Sequence, residues 1–251
     1  MSGDAQVLIS AEPESLLHRS VVRLAELGGS LQPYALIGGL AVIARLGHAH
    51  RATNDIDTVS DDRDRVIELL VANGLTRTGE SVLLAPDLKL DVIDVSEGDE
   101  TYFPYLSHRF GFDTRTEIEI LVQPAGGSPA ARATVPVARA AALVAIKLGI
   151  SEGIGRQRDT MKAGSDAFDV ARLLQQSGPD AIADELAGLA TEHFVEQVIA
   201  LAARHLVDEA DRTASAIVRS NVAGVVRIGA DQLELLGSAF IRRLGGGRKE
   251  H

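Results

Sequence analysis

The tripeptide Asp55-Ile56-Asp57 constrains this chain more than any other segment. In an extended strand, side chains two residues apart point to one face, so both carboxylates project together while Ile56 turns the other way. Asp55 to Val59 therefore predicts a strand with an apolar side and an acidic side. Like charges at this spacing repel unless a cation lies between them, and a divalent metal held by oxygen ligands supplies one. Upstream, Tyr34 to Ile37 is a short apolar run that ends in Gly38-Gly39, and Leu40 to Leu46 is a compact apolar segment stopped by Gly47. This reads as a strand, a glycine pair and a helix. Backbone N–H groups at such a junction approach an anion closely because no side chain intervenes.

The rest of the chain divides into two patterns. Pro13 to Leu27 carries apolar residues at helical spacing and stops at Gly28-Gly29. Asp61-Asp62 precede a helix running to about Ala72, closed by Asn73-Gly74. Ser81 to Leu84 and Leu88 to Val95 predict strands around the turn Ala85-Pro86-Asp87. Glu117 to Val122 predicts another strand, and Pro124 to Ala133 a loop. Ser96 to Thr114 has no clear period and gathers Tyr102, Phe103, Tyr105, Phe110 and Phe112. It reads as a packed loop, with stacking on an acceptor base as the alternative. From Val137 onward the pattern is helical: Val137 to Leu148, Ala167 to Gln175, Ala181 to Leu189, Phe194 to Leu206, Asp208 to Ser220 and Asp231 to Leu244. The expected class is α+β. A mixed α/β core over 1–135 has helices flanking its sheet, an all-helical domain follows over 136–244, and 245–251 reads as a disordered tail.

Composition narrows the chemistry. The chain has no cysteine, which excludes disulfides, zinc–thiolate centres and thiol nucleophiles. A net charge of −10 argues against a general nucleic-acid binder, while leaving local RNA recognition open. The first ten residues lack a basic segment followed by an apolar run, so no signal peptide is expected. No apolar stretch approaches the roughly 20 residues of a membrane span. A soluble, cytoplasmic protein without membrane contact is the expectation.

A third carboxylate comes from Leu88-Lys-Leu-Asp91-Val-Ile-Asp94-Val95. Asp91 and Asp94, three residues apart, face opposite sides of a strand. An aspartate inside an apolar strand needs compensation. Asp91 is the favoured third ligand and Asp94 its competitor. Three such carboxylates suit a pair of metal ions about 3.5–4 Å apart.

Ile37-Gly38-Gly39-Leu40-Ala41 followed by Arg51-Ala-Thr53-Asn-Asp55-Ile-Asp57 resembles the nucleotidyltransferase superfamily with a polymerase β-like core. The form GGxA…RxTxDID resembles the AbiEii/MenT-type toxins of bacterial toxin–antitoxin systems. Later blocks, in the same order, are similar to that family's motifs: Val135-Pro136-Val137 leading into Leu143-Val-Ala-Ile-Lys147-Leu, then Arg156-Gln-Arg158, Lys162, and Asp166-Ala-Phe-Asp169-Val-Ala-Arg-Leu-Leu174. The resemblance covers about residues 30–175. It departs from the pattern in having Gly38-Gly39 where the superfamily often has Gly-Ser, and in separating Lys162 from Asp166.

The resemblance implies a Mg²⁺-dependent enzyme that transfers a nucleotide from an NTP. Asp55 and Asp57 would bind Mg²⁺, two ions in all, with Asp91 joining on the catalytic metal. Gly38 and Gly39 would hold the β- and γ-phosphates. Lys147 would neutralise the triphosphate, with Arg158 or Lys162 acting likewise. Asp166 would orient Lys147 or act on the acceptor, and Asp169 would alternatively cap or buttress the helix pair. Arg51 and Thr53 read as turn residues that support the loop. The implied acceptor is the 3′ end of tRNA, and the implied protein partner a cognate antitoxin. The alternatives are a small cationic acceptor of aminoglycoside type, a protein acceptor, or a catalytically silent NTP-binding module.

Overall fold

The computed structural model describes residues 5–12, 15–28, 31–53, 55–85, 88–124, 130–151, 160–220 and 226–246. They form two compact units: 1–99 with 111–139, and 100–110 with 140–251. The class is α+β, a mixed sheet with flanking helices and a helical C-terminal part. No helix among the described residues is long and apolar enough to cross a membrane.

The first unit is built on eight strands: β1 (Ala5–Ala11), β2 (Ala35–Ile37), β3 (Asp55–Ser60), β4 (Thr76–Arg77), β5 (Val82–Ala85), β6 (Leu88–Asp94), β7 (Thr116–Pro124) and β8 (Ala131–Val137). They form one sheet in the order β1-β7-β8-β2-β3-β6-β5-β4. The pairs β1/β7, β2/β8 and β3/β6 are parallel, and the others antiparallel. In β2 every residue is buried, the mark of a central strand covered on both faces. In β7, Ile118, Ile120 and Val122 alternate into the core, as do Ala131, Ala133 and Val135 of β8.

Three helices flank this sheet. Helix α1 (Leu16–Leu27) starts at Ser15, whose hydroxyl accepts the His18 N–H at 3.2 Å. It buries Leu17, Val21, Leu24 and Leu27 along one stripe, against β8 and β7. Each such side chain contributes about 1.5–3 kcal/mol when fully removed from water. Helix α2 (Gly38–Leu46) follows β2 directly and ends at Gly47, whose N–H still reaches the Ile43 carbonyl at 2.9 Å and whose left-handed φ of 74° turns the chain out of the helix. Helix α3 (Arg63–Ala72) buries Val66, Ile67 and Leu70 beside β6 and β3.

In the second unit, α5 (Ala140–Ser151) is buried at every position from Ala141 to Leu148, as the central helix of a cluster must be. Around it lie α6 (Thr160–Ser177), α7 (Pro179–Leu189) and α8 (Glu192–Ala202). A π-helical segment, Ala203–Asp208, continues α8 and leads to α9 (Ala210–Ser220). Helices α6 and α9 cross closely: a Cβ on Gly164 would lie 2.2 Å from the Ala216 carbonyl oxygen. Helix α10 (Ala230–Gly246) closes the unit against α7 and the π-helical segment.

Four expectations from the sequence are corrected. The aromatic stretch is not a loop: Phe103–Asp113 forms a helix, α4, whose Phe103 and Phe110 pack on Phe194 with ring centroids 5.3 and 5.4 Å apart. Those two rings, together with the buried Phe112, are therefore committed to packing rather than to stacking a base. Strand β8 occupies the end of the expected loop, because small alanines alternate with Arg132 and Thr134 across it. Strand β1 lies where no element was expected. Gly245 and Gly246 belong to α10 rather than to a tail, and 247–251 lie outside the described residues.

Candidate active site

In β3, Ile56, Thr58 and Val59 are fully buried, while Asp55 and Asp57 are half-buried on the opposite face from Ile56. Parallel pairing sets Asp57 directly against Asp91 of β6, and Asp55 against Lys89. Leu88, Leu90 and Val92 point to the core, which turns Lys89 and Asp91 toward the Asp55/Asp57 face. The buried Thr58 hydroxyl donates to the Asp91 carbonyl at 2.9 Å and fixes the two strands in this register. Three carboxylates thus share one face of two adjacent strands. Asp94 lies against Ser60, and its carboxylate accepts the Ser96 N–H at 2.9 Å and hydroxyl at 2.7 Å.

The glycine pair abuts this face. Ile37, the last residue of β2, pairs with Asp57, so α2 begins beside the Asp57 carboxylate. Gly38 has φ 70°, and a Cβ there would lie 2.0 Å from Asp57 Oδ2. A Cβ on Gly39 would lie 2.6 Å from Arg51 Nη2 and 2.9 Å from Thr53 Oγ1. No side chain caps the first turn of α2. Its N–H groups, the partial positive charge of the helix start and the Arg51 guanidinium gather within one turn, an arrangement suited to an anion. An anion-attracting pole thus adjoins a cation-attracting one. Arg51 and Thr53 enter the site although the sequence reading gave them a supporting role. Their signal was position: RxTxDID places them one strand-lead before the aspartates.

Lys89 also belongs to this site, and the sequence reading gave it no role. Its Nζ lies 2.6 Å from Asp91 Oδ2 and 3.5 Å from Asp55 Oδ2. Burial pulls the ammonium's pKa down, but the hydrogen bond to Asp91 and the charges of Asp91, Asp55 and Asp57 outweigh it and hold the group above the usual lysine value. Among the described residues, no three His, Cys, Asp or Glu side chains form a ready metal-ligand group. The donor chemistry nonetheless fits Mg²⁺: three hard carboxylates, co-facial and solvent-accessible, beside a phosphate-suited helix start. Fit requires Lys89 to turn aside, and its side chain is 40 % exposed on a flexible stem.

The remaining expected residues lie in the helical unit. Lys147 of α5 is only 5 % exposed, with Nζ 2.5 Å from Asp166 Oδ1 and 3.1 Å from Asp169 Oδ2 of α6. These carboxylates are 1 % and 0 % exposed, so the three form an enclosed ion triad. Asp166 Oδ2 accepts no hydrogen bond among the described residues. Lys162 is exposed on α6, four residues before Asp166. Arg158 and Asn54 lie outside the described residues.

No family model matches the chain, and no curated protein matches it in sequence. Solved structures do match in fold. The protein JHP933 of Helicobacter pylori superposes with a TM-score of 0.51 at 14 % identity, over 94 % of this chain and 96 % of that one. A second H. pylori structure, described provisionally as a nucleotidyltransferase, gives a TM-score of 0.50 at 14 % identity, over 96 % and 100 %. At such identity the likeness is one of fold: a mixed sheet and a helical C-terminal part of nucleotidyltransferase-like type.

Proposed function

We propose that this protein is a Mg²⁺-dependent nucleotidyltransferase and the toxin of a toxin–antitoxin pair. The observation that carries the transferase reading is the junction of two opposite poles: the α2 start with Gly38, Gly39 and Arg51, and the co-facial carboxylates Asp55, Asp57 and Asp91. A nucleoside triphosphate with its metal carries both matching charges. The fold likeness supports the same reading.

In this reading Asp55, Asp57 and Asp91 hold the metal, which when bound neutralises charge on the phosphates and polarises the α-phosphate. The first-turn amides of α2 and Arg51 orient the β- and γ-phosphates. The acceptor hydroxyl attacks the α-phosphorus and loses its proton to the Asp91 carboxylate. A new O–P bond forms as the α–β phosphoanhydride breaks, and pyrophosphate leaves. The acceptor assigned is the 3′ end of tRNA, and the toxin role with its cognate antitoxin rests on the resemblance of GGxA…RxTxDID. A second reading, transfer to a small cationic acceptor, draws on the acidic face and the net charge of −10.

The test incubates the full chain with each labelled NTP, Mg²⁺ and, in separate reactions, total tRNA, an aminoglycoside or a bacterial protein extract, with Asp57→Asn in parallel. Label on the tRNA 3′ end with the wild type alone is expected. Transfer to an aminoglycoside and not to tRNA would replace the acceptor, and no transfer to tRNA, aminoglycoside or protein would overturn the enzyme reading. Induction in a bacterial host addresses the toxin role: wild type should arrest growth and Asp57→Asn should not. Equal growth of both strains counts against it.

A further inference from the structure

We propose that Lys89 is a built-in counter-ion, holding the three carboxylates in place while no metal is bound and yielding its position when a divalent cation loads. The inference rests on the metal-binding part of the reading above and deepens it.

The register makes the placement specific. Asp55 faces Lys89 and Asp57 faces Asp91 across β3 and β6, so three negative groups and one positive group occupy four adjacent positions of one face. Lys89 contacts two of the three carboxylates, at 2.6 and 3.5 Å. On its other side, β5 presents Leu84, which offers no competing partner. The chain has only four lysines, at 89, 147, 162 and 249. One of them stands within the acidic face, two residues before a proposed metal ligand.

A partly buried lysine–aspartate pair contributes only modestly to stability by itself. Here its effect is local: without the ammonium, three carboxylates repel one another and splay. With it, they stay gathered but their lone pairs are partly used. A divalent cation binding Asp55 and Asp91 meets the ammonium at the same oxygens and is repelled by its charge. Metal and ammonium therefore exclude each other. Lysine suits this exchange because it is a compact point charge on a four-carbon stem that can swing toward solvent.

The experiment compares the wild-type full chain with Lys89→Met, without nucleotide. Mn²⁺ affinity is measured by calorimetry, and Tm is measured in chelator and in saturating Mn²⁺. Lys89→Met should bind Mn²⁺ at least about tenfold more tightly, since a unit charge a few ångströms away is removed. It should melt lower than wild type in chelator, and the gap should close with Mn²⁺. The gain should persist at about 0.5 M KCl, because displacement at contact is screened far less than repulsion across solvent. A purely structural lysine would not raise metal affinity when lost. A second measurement needs no variant to fold well: the Lys89 Cε signal of wild type, one of four, should move saturably as Mg²⁺ is added.

Equal or weaker Mn²⁺ binding by Lys89→Met, an unmoved Lys89 signal at saturating Mg²⁺, or no metal binding by either protein would each overturn the proposal. The outcomes separate from those of the transferase reading. Tighter binding by the variant with no nucleotidyl transfer to any acceptor leaves Lys89's role standing and removes the enzyme. Transfer by the wild type with unchanged metal affinity in the variant removes Lys89's role alone.

Discussion

The Asp57 carboxylate occupies the space that a side chain on Gly38 would fill: a Cβ there would lie 2.0 Å from Asp57 Oδ2. The glycine is also held at φ 70°, a region that L side chains rarely adopt. Gly38→Ala thus meets two penalties at once. Strain alone is about 1–3 kcal/mol, and the clash must be relieved by moving Asp57 off its position opposite Asp91. Thermal denaturation should show the stability loss. The transfer assay should show activity falling well beyond what the unfolded fraction explains. Retained activity in a stable Gly38→Ala would mean that the position of Asp57 is not critical.

Arg51 gives a second prediction, of the opposite kind. Its Nη2 stands over Gly39 while Nη1 donates to the Ala52 carbonyl at 3.0 Å in an exposed setting. The bond to Ala52 is exposed, so its loss in Arg51→Ala should cost no more than about 1 kcal/mol. A charge-assisted contact to phosphate is worth about 1.5–3 kcal/mol. The KM for NTP should therefore rise about tenfold or more, with kcat falling less. A variant with unaltered KM would remove Arg51 from the phosphate site.

The enclosed triad of Lys147, Asp166 and Asp169 yields a third. Removing the ammonium with Lys147→Met leaves Asp166 and Asp169 buried without their lysine, at a cost of about 3–5 kcal/mol. Replacing the whole triad, as Lys147→Met with Asp166→Leu and Asp169→Leu, should recover much of that loss, because a desolvated ion group seldom outperforms well-packed apolar side chains. Denaturant titration measures both. Transfer activity then separates the roles. A stable but inactive triple variant assigns the triad to chemistry, and a stable active one assigns it to architecture alone.

The sheet's carboxylate face was legible because period-2 alternation is read from neighbouring residues: Ile56, Leu88, Leu90 and Val92 mark the core side, and the aspartates follow. Glycine between a strand and a helix was legible for the same reason. Lys89 was not, because its meaning depends on the register between β3 and β6, which no local pattern encodes. Asp91 and Asp94 were separable by parity, but only the contacts of Ser96 show what holds Asp94. Helix α4 was missed because its apolar face is aromatic and its partner, Phe194, lies far along the chain. Strand β8 was missed because alanine carries little strand signal, and Pro136 within it argues against a sheet interior. Within the strand Pro136 is paired with Glu117 of β7, while β2 joins β8 at Val137.

The helical unit carries a pH-sensitive group in His108 of α4. Its Nδ1 donates to the Pro104 carbonyl at 2.6 Å. Burial is the largest influence and lowers its pKa from 6.5; the bond to the Pro104 carbonyl opposes this, and the charge of Lys162 adds to the lowering. The net direction is down. Below about pH 6.5 the unfolded chain therefore takes up a proton that the folded chain refuses. The stability this histidine contributes is fully present above about pH 6.5 and is lost as pH falls through the lowered folded value. His108→Gln keeps a donor for the Pro104 carbonyl and removes the titration. Its stability difference from wild type should be largest near pH 7.5 and shrink toward pH 5.5, with every carboxylate common to both proteins cancelling in the comparison. Tm measured across that range decides it: parallel curves would show that His108 titrates alike in the folded and unfolded chain.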